Sequence, residues 1–470
     1  MIRRTFFSSF LAGVLVLCGL AAQVGAQAGG LGQDLATVRL PLDLLELGEK
    51  ARSSAPDLLT AARDLERARS DFRAKVAELS GTTVSIQVPA EANYKGAGTG
   101  VQLALQQAAG PWQAGASLGL VAGYEWDGAW KTGSALTLGV KLPLPSDADV
   151  QRRGYELDLA AAEARFRGAQ RSWNLALIEG YRDVLLARYD KDIAALKVAA
   201  AQMELEGAEV RGAAGAVSAA ALHTARQGVA QAEAGLAAAE LRLEQALFNL
   251  GQLTGDWTRS PEGPPAADEY GVRTIERAPA AGSVDGWVQL ALEQRDDVQL
   301  AEARVALARD RLHLAERRAG GTGELSGGVS LPASSSEPEK VGWYVGAAFK
   351  LPLLDASVTE EVRKAELAYE QALADRAALL ARVEGDVRFA YRQVELAEAV
   401  YAQAVAAAEY AARLLETAEQ AAGSGVGTPA AVLSARVTLA EAEREVMAAY
   451  FDLVVRRVTL WHLVGGDLSW

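Results

Sequence analysis

The side chains with the widest chemical scope in this chain are few, and none is grouped as catalysis would require. His223, His313 and His462 are the only histidines, and they stand too far apart for the short spacings that set ligands round one metal ion. No Gly-x-Ser-x-Gly, His-Glu-x-x-His or phosphate-binding loop occurs. Cys18 is the only cysteine; it lies in an N-terminal apolar run, after Leu17 where a lipid-attachment site needs a small residue. The residues therefore predict no enzyme, no cofactor and no metal centre. What remains comes in pairs. Arg226 and Arg436 each follow a glycine-containing break, Gly212–Gly215 and Gly423–Gly427. Each arginine is either a donor to a neighbouring helix or a solvated charge. Glycine supplies the positive φ of a tight turn, so the breaks predict hairpin tips rather than ligand loops. His223 falls beside the first tip, as a pH reporter or an incidental surface residue.

The pairing extends well beyond the tips. At an offset of 210 residues Glu156-Leu157 recurs as Glu366-Leu367, Tyr181-Arg182 as Tyr391-Arg392, and Gly215 as Gly425. Leu250, Leu253 and Gly255 return as Leu460, Leu463 and Gly465. One structural unit is used twice. In the first repeat, 27–255, a helix is followed by strands at about 81–143 and a helical hairpin at 149–255. After a Pro- and Gly-rich linker at 256–283, the second repeat, 284–470, carries a helix, strands at about 323–353 and a hairpin at 358–464. Residues 149–213 form a helical stretch without proline; about 65 residues would span roughly 100 Å, which suits an extended bundle or tube. Ala397 to Ala412 is alanine-rich, which favours helix and allows close helix approach. Val383, Val387, Ala390 and Val394 hold an apolar stripe at coiled-coil spacing.

Compartment follows from the start of the chain. Arg3-Arg4, an apolar run through Leu20 and then small residues predict a signal peptide at 1–26, cleaved near 26–28. Its removal takes away two arginines and no acid, so the formal charge moves from −13 to −15. That balance argues against a nucleic-acid partner, which needs a basic face. No later apolar run reaches about 18 residues, so any membrane entry must be as a closed β-barrel.

Between Gly81 and Pro143 the helical period gives way to alternation, with strands expected at 101–105, 114–124 and 134–142. Trp112, Tyr124, Trp126, Trp130, Trp343 and Tyr344 gather in or beside the strand segments, where amphipathic rings sit at a bilayer interface. Soluble hairpins with core aromatics are the alternative. A few strands cannot close a barrel alone, so a membrane reading requires several chains.

Order and spacing of three segments resemble the TolC-type outer-membrane efflux family: RDDVQLAEARVALARDRL (295–312), WYVGAAFKLPLLD (343–355) and GVGTPAAVLSARVTLAEAE (425–443), the last with a weaker counterpart at 215–234. The resemblance implies an α+β, mainly α fold of two tandem repeats, each a strand pair plus a long helical hairpin. It implies a homotrimer in outer-membrane lipid, four strands per chain in one shared β-barrel continuous with a periplasmic α-helical barrel. Function would be that of a passive exit duct for drug efflux or type I secretion. A periplasmic adaptor and an inner-membrane pump would meet the tips at Gly212, Gly215, Ser218, Gly425, Gly427, Thr428 and Pro429. Arg226 and Arg436 would then be gate residues. Residues 81–107 hold more strand-like sequence than two strands need, so an extra hairpin or elaborated loop is expected there. The family's tip aspartates are matched here by Ala431 and Ser434, and by Ala221 and Thr224. The rival readings are an envelope-spanning structural coiled coil and a substrate-specific porin.

Overall fold

The computed structural model describes residues 37–468 except 81, 88–89, 94–95, 110–111, 126–129, 145, 215, 257–269, 275–282, 333–341 and 351–355. The signal segment with Cys18, and also Gly215 and Trp126, lie outside the described residues. The chain divides into two compact units, described in turn: one of residues up to 62, 165–296 and 380–470, the other of 63–164 and 297–379.

The first unit is built on helices. β1 (Thr37–Pro41) leads into α1 (Leu42–Ala51), and Pro56 opens α2 (Pro56–Ser80). α3 (Ala148–Ala213) and α4 (Ala219–Thr254) make one hairpin, and α7 (Ala356–Gly423) and α8 (Pro429–Leu463) the other. Between them in sequence come β7 (Tyr270–Thr274), α5 (Val284–Gln294) and α6 (Asp296–Ala319), of which α6 from Asp297 onward, like residues 63–80 of α2, 148–164 of α3 and 356–379 of α7, belongs to the second unit. The core forms where apolar side chains recur at helical spacing. Leu177, Ile178, Tyr181, Val184 and Leu185 of α3, Val383, Val387 and Val394 of α7, and Phe451, Val454 and Val458 of α8 are all buried. Tyr181 and Phe451 rings lie 6.0 Å apart, and Trp287 meets Trp461 edge-on at 6.5 Å. Each such aromatic or aliphatic side chain stabilises the unit by about 1.5–3 kcal/mol.

Two glycines close this core at equivalent places, 210 residues apart. Gly255 (φ 72°) caps α4, and a Cβ there would stand 2.8 Å from the Ser54 carbonyl oxygen. Gly465 (φ 90°) follows α8, and its Cβ would stand 2.9 Å from the Gln294 carbonyl oxygen. In both cases the end of a short helix, α1 or α5, abuts the glycine backbone.

Three expectations change in this unit. The linker at 256–283 contains a strand, since β7 pairs antiparallel with β1 from Thr37↔Thr274 to Pro41↔Tyr270. The single helix expected to open the second repeat is interrupted at Arg295, whose backbone is extended (φ −67°, ψ 130°). Its guanidinium donates to the Leu463 carbonyl at 3.2 Å, so the break docks the end of α8. The single helix expected before the strands of the first repeat is two, α1 and α2, divided at 52–55 just before Pro56, because proline disfavours helix in the preceding residue.

The second unit carries the sheet. Between α2 and α3 run β2 (Thr82–Gln87), β3 (Ala90–Asn93), β4 (Gly96–Ala109), β5 (Trp112–Glu125) and β6 (Trp130–Leu144); between α6 and α7 run β8 (Thr322–Pro332) and β9 (Gly342–Lys350). Their order is β2-β4-β5-β6-β8-β9, with β3 also paired to β4, and every pairing is antiparallel. β2 faces residues 102–107 of β4 and β3 faces 96–99, so β2 and β3 form one interrupted row. Among the described residues the sheet therefore has six rows, two more than the four strands that the resemblance implies for the barrel, in keeping with the extra hairpin or loop expected from the strand-like sequence at 81–107. The surplus lies in the first repeat, where the long β4–β5 pairing adds a hairpin to the strand pair expected there.

Candidate functional site

No group of His, Cys, Asp or Glu that could hold a metal ion occurs among the described residues. The candidate sites are surfaces: two hairpin tips and one sheet face.

The second tip is the more tightly built. α7 ends at Gly423, and the N–H groups of Val426 and Gly427 both donate to the Ala421 carbonyl, at 3.0 and 2.8 Å. Gly425 holds φ 79°, reserved in practice for glycine. Gly427 has no room for a side chain: a Cβ would fall 2.7 Å from the Ala422 nitrogen. Thr428 then caps α8, its Oγ1 accepting from the Ala431 N–H at 3.2 Å, with Pro429 in the first turn where a missing N–H costs nothing. The turn leaves Val426 86% exposed, an apolar side chain pushed into solvent between two glycines. At the first tip Ser218 does the equivalent work, accepting from the Ala221 N–H at 3.3 Å. Gly212 sits in the last turn of α3 with open space where a Cβ would be, so this turn does not require it.

The two arginines occupy matching positions and make matching contacts. Arg226 reaches Glu209 at 3.4 Å and Arg436 reaches Glu419 at 2.8 Å, each across its own hairpin. Behind the second tip Ala411, Leu415 and Leu439 pack with Val432 and Ala435, the small residues letting α7 and α8 approach closely. Farther along α8, Arg444 bonds Asp190 at 2.7 Å and Lys197 bonds Glu441 at 2.7 Å, tying α8 to α3. Between those contacts burial pushes the Glu443 carboxyl up to about 7. His462 is held down to about 4 by burial and by the Arg171 guanidinium, and neither ring nitrogen has a partner. His313 pairs with Glu316 at 3.2 Å on an exposed helix face, and His223 is exposed on α4.

Alternation sorts the sheet into two faces. Val101, Leu103 and Leu105 of β4 share a face with Leu118 of β5, Leu138 and Val140 of β6, Leu325 of β8, and Trp343, Val345 and Phe349 of β9; all ten are exposed. The register carries the set from row to row, as Leu103↔Leu118 and Leu138↔Val329↔Trp343. The opposite face holds Gln102, Gln106, Ser117, Gly139, Lys141, Glu324, Ser326 and Lys350, with a Lys141–Glu324 ion pair at 3.3 Å. Of the aromatics singled out from sequence, Trp343 is 76% exposed on the apolar face. Trp112 opens β5, Tyr124 stands opposite Trp130 where β5 and β6 adjoin their turn, and Tyr344 stands opposite Gly328. Val426, the tip glutamates and the full apolar face were not singled out from sequence. Glu209 and Glu419 could have been, because they too recur at the offset of 210.

Paired helical hairpins and an antiparallel sheet of this kind recur in solved outer-membrane proteins. The chain superposes on CusC with a TM-score of 0.65 at 18% identity, covering 90% of this chain and 92% of that one. It superposes on VceC from Vibrio cholerae, an outer membrane protein, at 0.62 and 18%, covering 91% and 97%, and on the outer-membrane channel OprN at 0.63 and 19%, covering 90% of each. No curated protein sequence matches the chain. The family model for outer membrane efflux proteins matches residues 287–466. The family model's match falls in the second repeat, while the likeness of fold to these solved structures extends over the whole chain.

Proposed function

We propose that this protein is the passive exit duct of a tripartite efflux or type I secretion system. Three copies share one barrel in outer-membrane lipid, and their helical hairpins, two from each repeat-built chain, line a periplasmic tunnel. A periplasmic adaptor docks on the hairpin tips, and an inner-membrane pump supplies the energy. The observation that carries the reading is the sheet. It has a continuous apolar face, a small and polar opposite face, and edges at β2 and β9 that no other described strand covers. In lipid, unpaired edge groups cost several kcal/mol each, so the sheet is complete only when copies join edge to edge. A second support comes from α7, where Phe389, Leu396 and Tyr410 lie exposed at multiples of seven, with Val400 and Leu414 also exposed four residues after Leu396 and Tyr410, a seam suited to another helix. At the tips, Val426 and the turn of Gly425, Gly427, Thr428 and Pro429 offer the adaptor an apolar knob on a rigid hairpin, with Gly212 and Ser218 at the weaker counterpart. Arg226 and Arg436 act as gate residues by fixing the hairpin ends that line the entrance. The aromatics of the sheet anchor it at the bilayer interfaces. Purified trimers in planar bilayers should show discrete conductance steps; folded trimers that never conduct would leave the tethering coiled coil as the better account.

A further inference from the structure

We infer that the barrel of the proposed trimer is closed by β9 of one copy pairing with the β2–β3 row of the next, so that each chain contributes six rows and the ring eighteen. The inference rests on the trimeric reading above and concerns how that ring closes.

Strand direction decides which rows belong. Neighbouring rows are antiparallel throughout, so β2, β5 and β8 run one way and β4, β6 and β9 the other. With six rows the two edges, β2 and β9, run in opposite directions and join as an ordinary antiparallel pair. Leaving the interrupted β2–β3 row outside would make β4 the edge, and β4 runs parallel to β9. Leaving out β4 as well would restore the parity, but β4 is locked to β5 along the whole length of both strands, from Gly96↔Glu125 to Ala109↔Trp112. Side chains agree with the directions. Val101, Leu103 and Leu105 of β4 continue the apolar face of β5 and β6, while Gln102 and Gln106 continue the polar one. A hairpin folded away into water has no use for that pattern; a hairpin between lipid and a lumen requires it.

Connectivity shows what the extra rows do. β2 follows α2, β6 leads to α3, β8 follows α6 and β9 leads to α7, whereas β4 and β5 are joined to each other at the same end of the sheet with no helix between. Four rows therefore continue helices and two do not. Barrel diameter grows roughly in proportion to strand number, so eighteen rows give a lumen about half again as wide as twelve. The lumen face is small and mixed in charge, with Lys141, Glu324 and Lys350 among glycine, serine and glutamine.

Cysteine cross-linking in native membranes tests the closure. In a Cys18→Ser background, Val345→Cys in β9 is combined in turn with Thr83→Cys, Val84→Cys and Ser85→Cys in β2, or with Leu118→Cys in β5, and treated with a short bis-thiol reagent. Each variant is first checked for trimer mass in detergent. Covalent dimers and trimers from the β2 pairs, with none from the β5 pair, are expected. Cross-links from β5 instead, on intact trimers, would overturn the six-row closure and leave the trimer standing. A single-chain mass for the uncross-linked Cys18→Ser parent would overturn both. Barrel outlines of intact particles by electron microscopy give an independent width, and one matching twelve strands refutes the proposal.

Discussion

Replacing Gly465 by alanine should unlatch the end of α8 from the α5–α6 junction. Gly465 holds φ 90°, and an L-residue in left-handed backbone costs about 1–2 kcal/mol. The added Cβ would stand 2.9 Å from the Gln294 oxygen, 3.1 Å from its carbonyl carbon and 3.3 Å from the Arg295 nitrogen. All three are backbone atoms, so no side chain can swing aside and the two segments must part. Parting them stretches the Arg171 hydrogen bond to the Gly465 carbonyl (2.8 Å) and the Arg295 bond to the Leu463 carbonyl (3.2 Å). Charged donors of that kind contribute about 1.5–3 kcal/mol each, so losing part of both brings the total to roughly 3–5 kcal/mol. For a unit of this size that is a fall in unfolding temperature of roughly 6–15 °C, read from the helical circular dichroism signal in detergent. Gly235→Ala in α4 is the control, since open space surrounds it and alanine favours helix by about 0.5–1 kcal/mol. Gly465→Asn separates the two causes. Asparagine tolerates left-handed backbone but keeps the Cβ, so it should recover only the conformational part. If Gly465→Ala unfolds no earlier than Gly235→Ala, the reasoning about this junction is wrong.

Thr428→Ala and Ser218→Ala should each cost about 0.5–2 kcal/mol locally, seen as faster hydrogen exchange at the first turns of α8 and α4; unchanged exchange would remove the caps from the account. Arg436→Ala should leave stability within about 1 kcal/mol, because both partners of the Glu419 pair are well exposed, yet raise conductance. A folded mutant with parental conductance discards the gate. Two half-buried groups make opposed pH signatures. Folded Glu443 titrates at about 7 against an ordinary 4.5, so it retains a proton the unfolded chain releases, and its stabilisation is lost as pH rises from 4.5 to 7. Folded His462 titrates at about 4 against 6.5, so its contribution is lost as pH falls from 6.5 to 4. Relative to the parent, Glu443→Gln should gain stability with rising pH, by roughly 1–3 kcal/mol by pH 7.5, and His462→Gln should gain it with falling pH. Denaturant midpoints that stay parallel across pH 4.5–7.5 would contradict both assignments.

The helical hairpins were legible in sequence because their signals are local. Alanine-rich, proline-free runs propagate as helix, and Ser218, Thr428 and Pro429 mark the starts of the returning helices within a turn of where they act. The β1–β7 pair was not legible. Its strands are five residues each, without alternation, and their partners lie more than two hundred residues apart. No glycine or proline marks the break at Arg295; it is held by the docking of α8, a long-range contact that no local pattern announces. The sheet was half legible. Alternation identified β5 and β6, and Gly81 to Gln107 read as strand-rich, but the pairing of both β2 and β3 to β4 depends on register, which is a property of the folded sheet. At the tips the arginine positions were visible while their role was not. The structure gives each a glutamate across its own hairpin, a contact set by how α3 meets α4 and α7 meets α8.

The uncovered edges at β2 and β9 have a genetic consequence. If every copy in the proposed ring completes its neighbour on both sides, one faulty edge breaks the closure for all three. A variant with a proline in β9, expressed in equal amount with the parent, would leave only about one ring in eight free of faulty copies. Edge mutations should therefore behave as dominant in a merodiploid cell, whereas cap or core mutations that merely unfold their own chain should behave as recessive.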